Sequence, residues 1–190
     1  MKSKKEHKEL GISFLDINAP EELKFLEQLI LFRLNYWFPG ETEIEKPKPI
    51  YSTWSKKLQQ FIKLHQLNES EACLLLIGMA PHIQSDLFDN IINYKLQRNG
   101  DFQKIGGVRG KDFRGFIPTG ETAVFLLGDD DFDKKTAIHK LFWADHLFDR
   151  KKILWLDDVV AGEPEMSGKI LISKEYLDAF IYGESTQPKF

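Results

Sequence analysis

The chain has 190 residues, 42% hydrophobic and 13% aromatic, with a formal net charge of −3 at pH 7. This length and apolar share exclude a disordered chain and a mini-domain that needs disulfide or metal staples, since a chain this long buries roughly 70% of its unfolded surface. The acidic balance argues against a nucleic-acid binder, which ordinarily carries a basic excess, and the single cysteine, Cys73, excludes an intrachain disulfide or a four-cysteine zinc site.

The basic start, Met1-Lys2-Ser3-Lys4-Lys5, is not followed by an apolar core and cleavage site, so it does not read as a signal peptide. Residues 1–19 are expected to form a flexible tail with a short apolar patch at Ile12, Phe14, Leu15 and Ile17. No apolar run approaches the ~18 residues that cross a bilayer; no membrane partner and a cytoplasmic location are expected. Pro20 with Glu21 and Glu22 fits a helix first turn. Leu23, Leu26, Ile30 and Leu34 follow at helical spacing, until Pro39-Gly40 ends the helix. Residues 41–49 carry charge and two prolines and read as a loop.

Ser52 or Thr53 is placed to cap a second helix with the stripe Trp54, Leu58, Phe61, Ile62 and His65. Asn68 with Glu71 three residues on matches the capping pattern of a third helix over 69–80. That helix is apolar on nearly every side, which predicts a central, buried position and an inert Cys73; Pro81 is expected to stop it. A fourth helix over 84–98 presents Leu87, Phe88, Ile91, Ile92 and Leu96, with Asn99-Gly100 as its stop. Thr119 caps a predicted helix over 120–127, and another follows over 132–142. Ile153 to Leu156 and Lys169 to Ile172 read as strands of a long-looped hairpin. Ser173 then caps a last helix ending at Gly183, and residues 184–190 read as the start of a linker. The expected organisation is one domain over 20–183, α+β, mostly helical with a small β-hairpin.

Residues 102–117 differ in character. Gly106, Gly107, Gly110 and Gly115 punctuate a stretch in which Lys104, Arg109, Lys111 and Arg114 alternate with Phe102, Phe113 and Phe116. This is not a phosphate-binding P-loop, which needs four residues between its glycines and then Gly-Lys-Ser/Thr. Here three residues separate Gly106 from Gly110, and Asp112 stands where the hydroxyl belongs. Three readings fit: the phenylalanines pack inward while the cations stay in water, the loop grips an acidic protein surface, or it binds nucleic acid by phosphate contact and stacking. The candidate contact residues are Lys104, Arg109, Lys111, Phe113, Arg114 and Phe116. His139 and His146 lie seven apart and lack close metal-ligand spacing, the run Asp129 to Asp133 lacks the glycine and glutamate of a calcium loop, and no nucleophile elbow is present. No catalytic residue, metal or cofactor is therefore assigned.

Two strings resemble a known family. Gly106-Gly107-Val108-Arg109-Gly110-Lys111 leading to Gly115-Phe116-Ile117-Pro118-Thr119-Gly120-Glu121-Thr122-Ala123-Val124-Phe125-Leu126-Leu127, and Gly162-Glu163-Pro164-Glu165-Met166-Ser167-Gly168 followed by Ser173-Lys174-Glu175-Tyr176-Leu177, are similar to the winged-helix-type N-terminal domain of bacterial AAA-type ATPases common in Bacteroidetes. The helix ending Met79-Ala80-Pro81-His82 fits the same pattern, and the likeness spans about residues 51–183. The resemblance implies a winged-helix-like fold and a non-catalytic accessory role: recruiting a protein partner or substrate, or aiding assembly with an ATPase module in cis. ATP and magnesium are expected only for that module, whose Walker motifs these 190 residues lack. A nucleic-acid-binding winged helix is the alternative.

Overall fold

A computed structural model describes residues 13–40 and 44–183, and these form a mostly helical α+β fold. The expectations for residues 1–12 and 184–190 lie outside the described residues. Helix α1 (Glu21–Trp37) buries Leu23, Leu26, Ile30 and Leu34, the predicted stripe. Glu27, also buried on α1, accepts hydrogen bonds from the Ser13 hydroxyl at 3.0 Å and from the Phe14 N–H. Phe14 then meets the ring of Tyr94 at 5.4 Å. The chain is thus attached to α1 from Ser13 onward.

Helix α2 (Lys56–His65) begins later than Ser52 or Thr53 predicts. Residues Tyr51–Thr53 form a separate 3-10 turn, in which the Thr53 hydroxyl donates to the Ile50 carbonyl at 2.8 Å, and Ser55 takes the position that precedes the helix. Helix α3 (Glu69–Ile83) opens with the predicted reciprocal cap: Glu71 N–H donates to Asn68 at 3.0 Å, and Asn68 N–H to Glu71 at 2.7 Å. It runs through Pro81 rather than stopping there. A proline removes one helical donor, and so close to the end the loss is small, because Gln84 N–H still closes on Ala80 O at 2.8 Å.

Every residue from Ala72 to Ala80 is buried, so α3 is the central helix. Its Cys73 is 1% exposed, and burial, with Glu69 acting in the same direction, pushes the thiol pKa up to about 12. The folded chain is expected to resist a disulfide-exchange dye at about pH 8 and to react once unfolded in guanidinium; fast labelling of the folded chain would contradict the burial.

Helix α4 (Leu87–Leu96) ends at Gln97, which takes the left-handed conformation before Asn99-Gly100 is reached. Strands β1 (Val108–Arg109) and β2 (Phe116–Ile117) pair antiparallel within the glycine-rich stretch. Helices α5 (Gly120–Leu127), α6 (Phe132–Lys140) and α7 (Leu147–Arg150) follow. The predicted hairpin is present: β3 (Leu154–Leu156) pairs antiparallel with β4 (Ile170–Ile172), register Trp155 to Leu171. Helix α8 (Lys174–Tyr182) ends at left-handed Gly183. The hairpin rests on α3 at Gly78, where a β-carbon would come within 3.0 Å of Leu154 and 3.2 Å of Ile170. Among the described residues no helix is long and apolar enough to cross a membrane.

Candidate functional site

The structure distributes the six candidate contact residues over four settings. Phe116 is 4% exposed and stacks on Phe88 of α4, ring centroids 4.8 Å apart. Arg109 is held by its own chain: it pairs with Asp89 at 2.5 Å and Asp101 at 2.9 Å and donates to the Arg114 carbonyl. Partial burial lowers the Arg109 pKa, but the hydrogen bonds to Asp101 and Asp89 outweigh it and raise the net value. Lys111, Phe113 and Arg114 are exposed in the turn between β1 and β2. Lys104 stands apart, its ammonium 3.9 Å from the centre of the Trp37 indole ring, within cation–π range.

The glycine string is built for close packing. Gly107 has φ +83°, and a β-carbon there would fall 2.2 Å from the Phe116 ring. Its N–H donates to the Thr119 hydroxyl at 3.1 Å. Thr119 also caps α5, its own N–H donating to the Thr122 hydroxyl at 3.0 Å. Asp89 accepts Phe116 N–H at 2.8 Å, which fastens the β1–β2 pair to α4. On the other side, Gly120 N–H donates to Gly168 O at 3.1 Å and Ile170 N–H to Pro118 O at 2.9 Å. A side chain at Gly120 would strike the Met166 backbone at 2.9 Å. The two strings that carry the family resemblance are therefore packed directly against each other.

Together they border a cleft of about 640 Å³, to which the first contributes Glu121 and Val124, with Lys104 two residues ahead of it, and the second Pro164, Glu165 and Met166. That size lies in the usual range of a binding site, roughly 300–1,000 Å³. Sequence reading assigned only Lys104 among its walls; Arg33, Trp37, Asp129 and Lys135 are found by the fold. Arg33 is 5% exposed, donates from Nε to Phe125 O at 2.9 Å and lies 3.5 Å from the Asp129 carboxylate. Its signal in the sequence is a cation four residues after Leu29 and three after Ile30, on the apolar stripe of α1. The Trp37 indole N–H is buried without an acceptor among the described residues.

Asp129 takes φ +47° and binds Lys46 at 3.3 Å and Lys134 at 3.0 Å besides Arg33. Burial raises its pKa, but the Lys134 hydrogen bond and the Lys46 charge overcome this and hold it below the ordinary carboxylate value. A carboxyl whose pKa is depressed in the fold stabilises above its unfolded value, and that stability is lost as pH falls through the folded value. Asp129→Asn is therefore expected to be less stable than the parent near neutrality, with the gap closing below about pH 4. Asparagine tolerates the left-handed backbone, so denaturant midpoints against pH isolate the charge; a gap independent of pH would contradict this account.

Among the described residues no group of three or more His, Cys, Asp or Glu converges to hold a metal. His146 is engaged structurally, accepting Phe148 N–H at Nδ1 (3.2 Å) and lying 2.9 Å from Glu71 through Nε2. Comparison with protein-family models, curated proteins and solved structures finds no match.

Proposed function

We propose that this chain is a non-catalytic, cytoplasmic accessory domain of winged-helix type that docks a protein, either a partner or substrate or an AAA-type ATPase module in cis. The observation supporting the reading is the convergence of its two distinctive strings on one cleft. A concavity of this size that both strings border is of the kind that receives a ligand or a partner's side chains. The family resemblance supplies the kind of parent protein.

Nucleic-acid binding is the less favoured reading. Arg109, central to the basic stretch, faces Asp89 and Asp101, so its charge is largely answered within the fold. Purified chain with ATP and magnesium is expected to release no phosphate above a blank; turnover removed by mutation of the cleft would refute the non-catalytic role. A labelled DNA duplex is expected to show no saturable micromolar binding at low salt. Tight binding that weakens steeply with salt would instead favour the nucleic-acid alternative.

A further inference from the structure

We propose that a second recess, bordered by the start of α1, the end of α3 and α8, binds a primary ammonium group carried on an apolar stem. The source is a lysine side chain of another protein or a free alkylamine. The recess has a volume of about 370 Å³ and shares no lining residue with the cleft above. The inference therefore goes beyond the docking role and does not rest on it.

Glu22 carries the argument. It is 5% exposed and lines the recess. Its Oε1 accepts Ser55 N–H at 3.3 Å, just past the usual range of roughly 2.7–3.2 Å. Its Oε2 has no donor among the described residues. No cation among them answers the charge either. Lys24 pairs with Glu21, and Lys56 and Lys57, which open α2, are exposed and make no ion pair with Glu22. The N-termini of α1 and α2 lend partial positive charge, but a buried carboxylate ordinarily has a full partner. The lining of the recess holds two carboxylates, Glu21 and Glu22, and no lysine, arginine or histidine. Since Glu21 is exposed and paired, the unanswered charge is that of Glu22.

Ser55 points to the same ligand. A serine that precedes a helix ordinarily turns its hydroxyl onto the N–H groups of the first turn. Ser55 does not, and its Oγ is buried with no partner among the described residues. The hydroxyl reorients by rotation about one bond. An ammonium offers three donors and no acceptor, which suits two acceptors, Glu22 Oε2 and Ser55 Oγ, left over in one recess. Trp54, Met79 and Phe180, all buried, supply apolar wall for the methylene stem. A guanidinium fork would seek both carboxylate oxygens, and one already serves Ser55 N–H; a compact ammonium needs only the other. An anion would meet Glu22 with no cation beside it.

The test is a titration of the isotope-labelled chain, read by the Ser55 amide and Met79 methyl resonances at constant ionic strength. The probes are n-butylammonium and n-butanol, then a blocked Gly-Lys-Gly peptide and its acetyl-lysine counterpart. The charged probes are expected to shift both signals saturably, with affinity about tenfold or more above that of their uncharged counterparts. That comparison is made on the parent chain and needs no variant to fold. Glu22→Gln keeps an oxygen for Ser55 N–H and is expected to lose the same tenfold; Ser55→Ala gives up no capping bond and is expected to weaken the charged probes selectively. Tighter binding of the peptide than of the amine names a lysine as the source, and the reverse names a small ligand; both support the proposal. Equal binding of charged and uncharged probes, affinity unchanged in a folded Glu22→Gln, no shift, or shifts confined to Glu121 and Glu165 of the cleft would each overturn it.

Discussion

Gly107→Ala is expected to destabilise the chain by about 3 kcal/mol, read as a lower urea midpoint with an unchanged slope. Two costs add. A β-carbon in the left-handed region costs roughly 1–2 kcal/mol, and Gly107 sits at φ +83°. That β-carbon would also lie 2.2 Å from the Phe116 ring, which stacks on Phe88; overpacking of this kind costs roughly 1–3 kcal/mol. Gly162 separates the two. Its φ is +97°, but nothing lies within 4 Å of where an added methyl would sit, so Gly162→Ala is expected to show the backbone cost alone. Equal losses at the two sites would mean that the Gly107–Phe116 contact does not hold the β1–β2 pair.

Phe88→Ala is expected to cost about 3–5 kcal/mol, the usual range for a buried phenylalanine. Phe88 is 2% exposed and forms the stacked partner of Phe116. It is next to Asp89, which holds both Phe116 N–H and Arg109. The loss should therefore appear first in the β1–β2 pair, as faster amide exchange at Phe116 and Gly110 before α3 is affected. A variant with the parent's midpoint, or with uniform loosening, would contradict the view that α4 anchors this pair.

The parts of the fold legible in the sequence are those whose cause is local. Asn68 and Glu71 announce the start of α3, and the unbroken apolar run after them announces its burial. The β3–β4 pair follows from two apolar runs separated by glycine and proline. The fold departs from these local signals where one contact redirects a preference. Thr53 looks like a cap, but it closes a turn of its own and Ser55 precedes the helix, and Pro81 looks like a stop until the short remainder of helix beyond it is seen.

The candidate site is legible only in part. The glycine, cation and aromatic pattern of residues 102–117 marks a special loop, yet the pattern is equally satisfied by packing, and the fold uses Phe116 and Arg109 that way. The cleft depends on partners far apart in the chain. Arg33 meets Phe125 across 92 positions, and no spacing rule links them. A cation on an apolar helix stripe is its one visible sign.

The most direct measurement of the central claim is an equilibrium titration of the fluorescently labelled 190-residue chain with an AAA-type ATPase module of the proposed kind, followed by anisotropy. The account predicts saturable binding that survives Arg114→Glu in the outer turn and is weakened by substitutions lining the cleft. A module that leaves the anisotropy unchanged at concentrations well above those of stable complexes would contradict it.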